Sequence, residues 1–287
     1  AGALDVTGTA RMEYQSTTSA AGNSGDSFAQ NTSISFSGSG EMDNGMTVSY
    51  FSLQAAGGNN SSSQGVTLDM GDMGTLSMTN YNVAGIGTIQ DMVPNGGEQP
   101  WDDLGATHGG PADGIASPHA GNRLGYKTTQ GGAIISAALN YEFASPTTSI
   151  AIQLPNLVEG LNIGAGLASD QSTEDVENDI ETMYIKYSMG PVSVGAQSTD
   201  INVQTATSDI ERASYGVSFA VNDTMSIGYG VSTVEYDALS NDEESKGFGA
   251  SYTSGGMKLG VIHNKNDNLH GGASDMGLTA FHFTFAF

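Results

Sequence analysis

A stretch of about forty residues, Asn82 to Asn122, concentrates acidic side chains and contains no lysine or arginine. Carboxylates gathered without cations attract metal ions and cationic solutes, and they select among ions where they line a narrow channel. A connection this long without secondary structure is usually functional or disordered. We therefore predict a functional loop. Its candidate residues are Asp91, Glu98, Trp101, Asp102, Asp103 and Asp113.

The cationic side chains follow a different pattern, because six of the eight in the chain lie on the polar side of alternating segments. On the inside of a barrel they would line the lumen. Facing carboxylates on an infolded loop, they would create a transverse field that filters ions. The six residues are Arg11, Arg123, Lys127, Lys186, Arg212 and Lys258.

Composition limits the class of protein. Lys+Arg 8 against Asp+Glu 31 gives a net charge of −23, which argues against a nucleic-acid partner because phosphate backbones require a basic surface. The absence of cysteine excludes disulfide scaffolds and thiol catalysis. The chain begins with Ala1 rather than methionine, and we expect a mature protein whose signal peptide has been removed.

Alternation of apolar and polar residues predicts about sixteen β-strands, since successive side chains of a strand point to opposite faces. Asp43-Asn44-Gly45 marks a hairpin turn between two of them. The predicted segments are Leu4–Tyr14, Thr32–Met42, Met46–Leu53, Val66–Met70, Thr75–Tyr81, Arg123–Thr129, Ile134–Glu142, Thr148–Leu154, Leu161–Leu167, Thr182–Met189, Val192–Ser198, Arg212–Val221, Met225–Val234, Gly247–Thr253, Met257–Lys265 and Met276–Phe287.

The connections are predicted to alternate strictly between short turns and long polar loops, which include Ala168–Asp179 and Glu235–Ser245. Such sorting of loops is typical of outer-membrane barrels. A sixteen-stranded barrel is too wide for side chains to fill its interior, so we place the apolar face outward. The fold class is all-β: one transmembrane domain spanning residues 1–287, a 16-stranded antiparallel barrel with short periplasmic turns, long external loops and an infolded third loop at residues 82–122.

The whole chain resembles the general porins of the alphaproteobacterial outer membrane, the Rhodobacter-type porins. The resemblance rests on the alternating strands, on a third external loop with Glu98-Gln99-Pro100-Trp101-Asp102-Asp103 at its core, and on the terminal Phe287. It implies a homotrimer, a constriction in each barrel, and calcium among the acidic loops. Family members often cluster several arginines on the basic wall, whereas this chain spreads few.

The expected function is passive diffusion: small hydrophilic solutes and ions cross the outer membrane, with cations preferred. We expect no enzyme activity and no cofactor beyond adventitious calcium. The expected partners are two further copies of the chain, membrane lipid and lipopolysaccharide. Small residues at the outward positions of the first two strands suit close contact between subunits. They are Gly8, Ala10, Gly38 and Gly40.

Three alternatives to a general diffusion channel stay open. A substrate-specific channel would line its lumen with aromatic residues, and the inward positions carry few besides Phe51 and Tyr184. A calcium-binding surface would use acidic runs at Asp170–Glu181 and Asp237–Glu244, although neither has the ligand spacing of an EF-hand. A secreted adhesin or β-solenoid would require a fixed repeat, and the chain has none.

An outer-membrane esterase or lipase is the enzymatic alternative. Gly25-Asp26-Ser27 resembles the start of a lipase motif, and His108 and His119 could supply a base. Gly-Asp-Ser is a weak signal in a segment rich in serine, glycine and asparagine. His282 is predicted to line the lumen, and His263 to lie outward near a strand end.

Overall fold

The computed structural model describes residues 4–19, 24–55, 61–81, 83–95, 122–142, 145–173, 176–204 and 209–287. Sixteen antiparallel strands form a closed barrel in which each strand pairs with its neighbours in sequence and β1 pairs with β16. The strands are β1 Leu4–Ser19, β2 Gly25–Glu41, β3 Thr47–Ala55, β4 Ser61–Asp69, β5 Thr75–Thr79, β6 Arg123–Gln130, β7 Ala133–Glu142, β8 Ser145–Val158, β9 Leu161–Thr173, β10 Val176–Met189, β11 Val192–Val203, β12 Ile210–Asn222, β13 Met225–Tyr236, β14 Glu243–Ser254, β15 Met257–Asp267 and β16 Met276–Ala286.

Helical structure in the described residues consists of short 3₁₀ turns, at Gly71–Met73, Gly85–Ile89 and Leu269–Gly271. No helix among these residues has the length and apolar character needed to cross a membrane.

The two faces of the barrel wall differ in chemistry, and the register assigns each residue to one of them. On one face the large apolar side chains are exposed, as at Met183, Ile185 and Tyr187 of β10. On the other face polar side chains such as Thr182 are buried. The concave side of a closed sheet crowds its side chains together, so the buried polar face is the interior. The apolar face points outward, as in membrane barrels.

Tight turns connect the strands at one end of the barrel. Gly45, Gly131, Gly160 and Gly190 adopt positive φ in these turns, a conformation that costs glycine little. We call this the turn end, and the opposite end, which carries the connection between β5 and β6, the loop end.

Two connections predicted to be long acidic loops are largely strand. Within the predicted loop Ala168–Asp179, β9 continues to Thr173 and β10 begins at Val176; within Glu235–Ser245, β13 continues to Tyr236 and β14 begins at Glu243. The predicted strict alternation of short and long connections was therefore wrong, since β7 and β8 are also separated by only two residues. Past the band of outward apolar side chains, which we call the apolar belt, the outer face also becomes polar, so the regular alternation is lost while the backbone pairing continues.

Candidate functional site

Residues Val83–Asn95, which we call the inner segment, lie against the interior face of the barrel wall. Its 3₁₀ turn, Gly85–Ile89, places Ile86 and Ile89 at 0% exposure. These side chains pack on inward residues of β8 to β11 and form the largest apolar cluster of the described interior. The wall residues in this cluster are Ala151, Ala168, Ile180, Tyr184 and Ile201.

Glycines on the wall allow the inner segment to approach closely. A Cβ atom added at Gly125 would collide with Ala84, and one added at Gly216 would collide with Val93 and Pro94. Gly166 and Gly195 lie in the same way beneath the isoleucines and Pro94. Glycine in a strand often marks the close approach of another backbone, and here these positions follow the path of the segment across the barrel.

Polar side chains of the wall satisfy the backbone of the inner segment. The Gly85 N–H donates to Ser136 Oγ at 2.8 Å, and the Ile86 N–H donates to Ser149 Oγ at 3.2 Å. Gln197 Nε2 donates to the Ile89 carbonyl at 2.9 Å, and Gln197 Oε1 accepts from the Met92 N–H at 3.0 Å. The sequence analysis did not single out these wall residues; a small or amide side chain at an inward position was the available signal.

The path of the inner segment runs around the wall at one height. It contacts Gly125 on β6 and Gly216 on β12. Following the directly paired residues from Gly125 across the same six strand pairs leads instead to Ile210 on β12. The segment therefore advances one residue per strand, and because the strands of a closed barrel are tilted and staggered, such an advance keeps it close to one height. The same advance beyond Gly216 reaches His282 on β16 and then Met12 on β1.

A charged cluster lies at this height on the opposite wall, since β1 is eight strands from β9 in the ring of sixteen. Arg11 Nη2 is 2.6 Å from Glu13 Oε2 and 2.7 Å from His282 Nε2. Gln15 donates from its amide to the second carboxylate oxygen of Glu13. Glu13 is 9% exposed and His282 5% exposed. His282 thus lines the interior, and Glu13 is an interior carboxylate that was not among the predicted site residues.

The six predicted wall cations all occupy inward register positions, but they lie on several parts of the wall. Arg11 and Lys258 belong to the side opposite the inner segment, where both pair with Thr284. The other four are on strands that carry the segment or adjoin its ends. These four are Arg123, Lys127, Lys186 and Arg212. Arg123 and Arg212 are buried, and Lys186 pairs with Gly195.

Of the predicted loop residues, the structure describes one, Asp91, which is exposed at the surface of the inner segment with φ 55°. The other five lie outside the described residues and keep their roles as predictions. They are Glu98, Trp101, Asp102, Asp103 and Asp113.

A second polar network lies on the interior face towards the loop end. Glu243 is 1% exposed and accepts hydrogen bonds from Tyr236 Oη at 3.1 Å, Asn266 Nδ2 at 2.8 Å and the His270 N–H at 2.8 Å. Arg212 donates from Nε to two serine hydroxyls on the same face. Through the His270 N–H, this buried carboxylate fixes the connection between β15 and β16 to the wall.

The residues proposed for the alternative functions are placed as follows. Ser27 lies within β2, opposite Gln15, and not at a sharp strand-to-helix turn of the kind that presents a lipase nucleophile; His108 and His119 lie outside the described residues. Tyr184 is covered by the inner segment, and Phe51 contacts Tyr81. Within the described ranges, no three histidine or acidic side chains are arranged to hold a metal ion.

A closed barrel with an apolar exterior and a polar interior, crossed by a segment of its own chain, is the architecture of a membrane channel. A family model described as Gram-negative porin matches residues 1–270. The chain belongs to this family. It is therefore an integral outer-membrane diffusion porin, and both the family and the fold indicate a channel without enzyme activity.

Solved structures with the same fold are similar over nearly their whole length. A solved porin structure has a TM-score of 0.76 at 16% identity, covering 99% of this chain and 100% of that one. A mutant of the Rh. blastica porin has a TM-score of 0.74 at 15% identity, covering 99% of this chain and 100% of that one. The anion-selective porin from Comamonas acidovorans has a TM-score of 0.74 at 15% identity, covering 100% of both chains. No curated protein matches the sequence.

Proposed function

We propose that the chain is a general diffusion porin with a preference for cations, in which residues 82–122 narrow the lumen. The observation that carries the proposal is the inner segment, whose contacts run along the interior wall from β6 to β12. A connection anchored there begins its course inside the barrel. We place the aqueous path between the inner segment and the opposite side of the wall, which carries Arg11 on β1.

The preference for cations rests on charge. The chain carries −23, and the connection between β5 and β6 contributes five carboxylates and no cation. A related fold occurs in a porin described as anion-selective, so side chains, not the barrel, must determine the sign of selectivity. Fixed negative charge near a narrow aqueous path raises the local concentration of cations.

We further propose that the protein assembles as a homotrimer in lipid and lipopolysaccharide, without a resident cofactor. The outward face of β1 and β2 combines the small residues Ala10 and Gly40 with the polar Gln30 and Thr32. Polar outward side chains are unfavourable against acyl chains, and small ones allow another subunit to approach closely. Calcium bound adventitiously between acidic external connections fits the same proposal.

Single-channel recording in a planar bilayer under a salt gradient tests the proposal. We expect conductance steps in groups of three and a reversal potential that reports cation preference. Deletion of Glu98–Asp113 should raise the conductance, because it removes residues that are proposed to narrow the lumen. Neutralisation of the five loop carboxylates should reduce cation preference with a smaller change in conductance.

The matched control removes acidic charge from the turn end, with the substitutions Asp43→Asn, Asp72→Asn and Asp223→Asn. All three side chains are exposed there, so selectivity should stay close to that of the unmodified protein. Equal conductance before and after the loop deletion, in barrels that fold, would contradict the constriction. Solute flux that saturates at low concentration would favour a substrate-specific channel instead.

A further inference from the structure

We propose that the outer face of β15 and β16 binds one phospholipid with an ethanolamine headgroup, which carries a phosphate and a primary ammonium group. The proposal depends on the membrane-facing side of the barrel and not on the passage of ions. Its structural basis is a groove with an apolar half and a charged half, which lie end to end along these two strands.

The apolar half is a cavity of about 390 Å³ in the outer face of β14, β15 and β16. Ala250 and Val261 are directly paired and are the smallest outward side chains of this stretch. The larger side chains that border them are Tyr252, Leu259, Phe281 and Phe283. A recess between apolar side chains within the apolar belt suits an acyl chain, because filling it buries apolar surface on both partners.

The charged half is a cavity of about 400 Å³ that adjoins the apolar half towards the loop end. His263 lies where the two halves meet, exposed on the outer face as the sequence predicted. Gly277 follows on β16, and its missing side chain leaves space beside Thr18 of β1. Lys265 and Asp275 border the same cavity, so the lining presents one ammonium group and one carboxylate.

Cations occur at this one place on the outer face of the barrel. All eight lysines and arginines lie within the described residues, six point inward, and the other two are Lys246 and Lys265. These two are direct partners on β14 and β15, with side chains 43% and 51% exposed. Like charges in this position destabilise a sheet, and Asp267 contacts both ammonium groups. One carboxylate between two ammonium groups leaves a positive charge for a lipid phosphate.

The order of the charges along the strands selects among headgroups. From the apolar half towards the loop end the lysines come first, and the outer carboxylates follow. These carboxylates are Asp267, Glu244 and Asp275. In an ethanolamine phospholipid the phosphate lies next to the acyl chains and the ammonium group lies at the outer end. The lysines therefore meet the phosphate, and the carboxylates meet the ammonium group.

The length of the groove matches one leaflet of a membrane. Lys265 and Leu259 mark its two ends on β15, and an extended strand covers about 20 Å between them. A strand tilt of about 40° reduces this length to about 15 Å of depth. Half of a hydrocarbon core is also about 15 Å thick, so a single lipid can reach from the lysines to the end of the apolar half.

The experiment measures lipid retention by the complete, delipidated protein with native mass spectrometry. The probes are phosphatidylethanolamine, phosphatidylcholine and phosphatidylglycerol with identical acyl chains. We expect phosphatidylethanolamine to be retained about three- to fivefold more strongly than the others, the effect of one exposed charge contact. The ammonium group of phosphatidylcholine has no N–H to donate, and phosphatidylglycerol has no ammonium group.

Three substitutions separate the contacts. Lys265→Gln should lower the retention of all three lipids about threefold, because each has a phosphate. Asp275→Asn should lower that of phosphatidylethanolamine alone, and its amide oxygen can still accept from the Asn268 N–H as Asp275 does. Ala250→Trp should lower the retention of all three, because the indole fills the apolar half.

The matched control is Lys258→Gln, which removes a lysine from the inner face of the same strand and should leave lipid retention unchanged. Equal retention of the three lipids, or retention unaffected by Lys265→Gln and Asp275→Asn, would overturn the proposal. Subunits that separate in Ala250→Trp while lipid retention persists would also overturn it, because a second copy of the chain would then occupy the groove. A conducting barrel without lipid preference contradicts this inference alone and not the proposed function. If Asp275→Asn does not fold, the order of the three lipids in the unmodified protein and the loss in Ala250→Trp decide the matter.

Discussion

At the scale of single residues, Gln197 contacts the inner segment with both ends of its amide. It donates to the Ile89 carbonyl, accepts from the Met92 N–H and also donates to Thr182 Oγ1 at 3.2 Å. The residue is buried, so water cannot readily replace these bonds. This side chain joins the wall to Ile89, the last residue of the 3₁₀ turn, and to Met92 just beyond it.

We predict that Gln197→Ala loosens the inner segment without unfolding the barrel. The substitution leaves the buried Ile89 carbonyl without this donor and the part-buried Met92 N–H without this acceptor; the buried group costs about 1–3 kcal/mol and the part-buried one less. The expected result is a noisier open channel with higher conductance. Bilayer recording tests it. Ser198→Ala, at the next residue of β11 and on the outer face, is the control, and identical current noise in both variants would contradict the prediction.

The sequence predicted which face of the barrel wall the interior residues occupy, but not which residues they contact. Alternation assigned Arg11 and His282 to the interior, because parity along a strand requires no knowledge of other strands. The contact of Arg11 and Glu13 with His282 depends on the register between β1 and β16. The pairing of these two strands brings together residues that are far apart in the chain. Local pattern contains no information about that register, and for this reason the cluster could not be predicted.

At the scale of strands, four carboxylates form a row on the outer face near the loop end. Glu181 pairs with Asp200, Asp200 with Glu211, and Glu211 with Glu235. Like charges directly opposite each other on neighbouring strands destabilise a sheet. The row crosses β10 to β13 and lies beyond the apolar belt, where water and headgroups replace acyl chains.

We predict that Glu211→Gln stabilises the barrel. It removes one of the two charges in the row that have an acidic neighbour on both sides, and each such pair is unfavourable by up to about 1 kcal/mol, less where solvent screens it. The thermal unfolding temperature in detergent should rise, and the gain should shrink at high salt. Asp179→Asn is the control, since Asp179 pairs with Asn202 and Ser169. An equal gain in both variants would contradict the prediction.

The sequence predicted the number of strands but not their ends at the loop end. In the apolar belt one face must be apolar and the other polar, and this contrast made each strand visible in the sequence. Past Ala168 on β9 both faces are polar, and before Thr182 on β10 the outer face is acidic while Ile180 faces inward, so the outward apolar signal is lost and backbone pairing defines the strand. The acidic loops that were predicted there are therefore extensions of the barrel wall.

At the scale of the whole molecule, one seam closes the ring. β1 and β16 come from opposite ends of the chain, and their pairing removes the two free edges that an open sheet would expose to lipid. The seam continues past β16, where the Gly8 N–H donates to the Phe287 carbonyl at 2.6 Å and the Phe287 N–H donates to the Gly8 carbonyl at 2.9 Å. The Phe287 ring lies over Gly8.

We predict that Gly8→Ala weakens this seam through the Phe287 ring. An added Cβ would lie 2.6 Å from a carbon of the ring and 3.1 Å from the Ser33 carbonyl oxygen, so the ring must move or the strands must separate. Phe287→Ala removes the ring, keeps both backbone hydrogen bonds and should relieve most of the effect of Gly8→Ala.

The refolded fraction and the thermal unfolding temperature of the two single variants and the double variant measure this coupling. Gly40→Ala is the control, because a Cβ there meets nothing within 4 Å; additive effects of the two seam substitutions would show that the ring and Gly8 act independently.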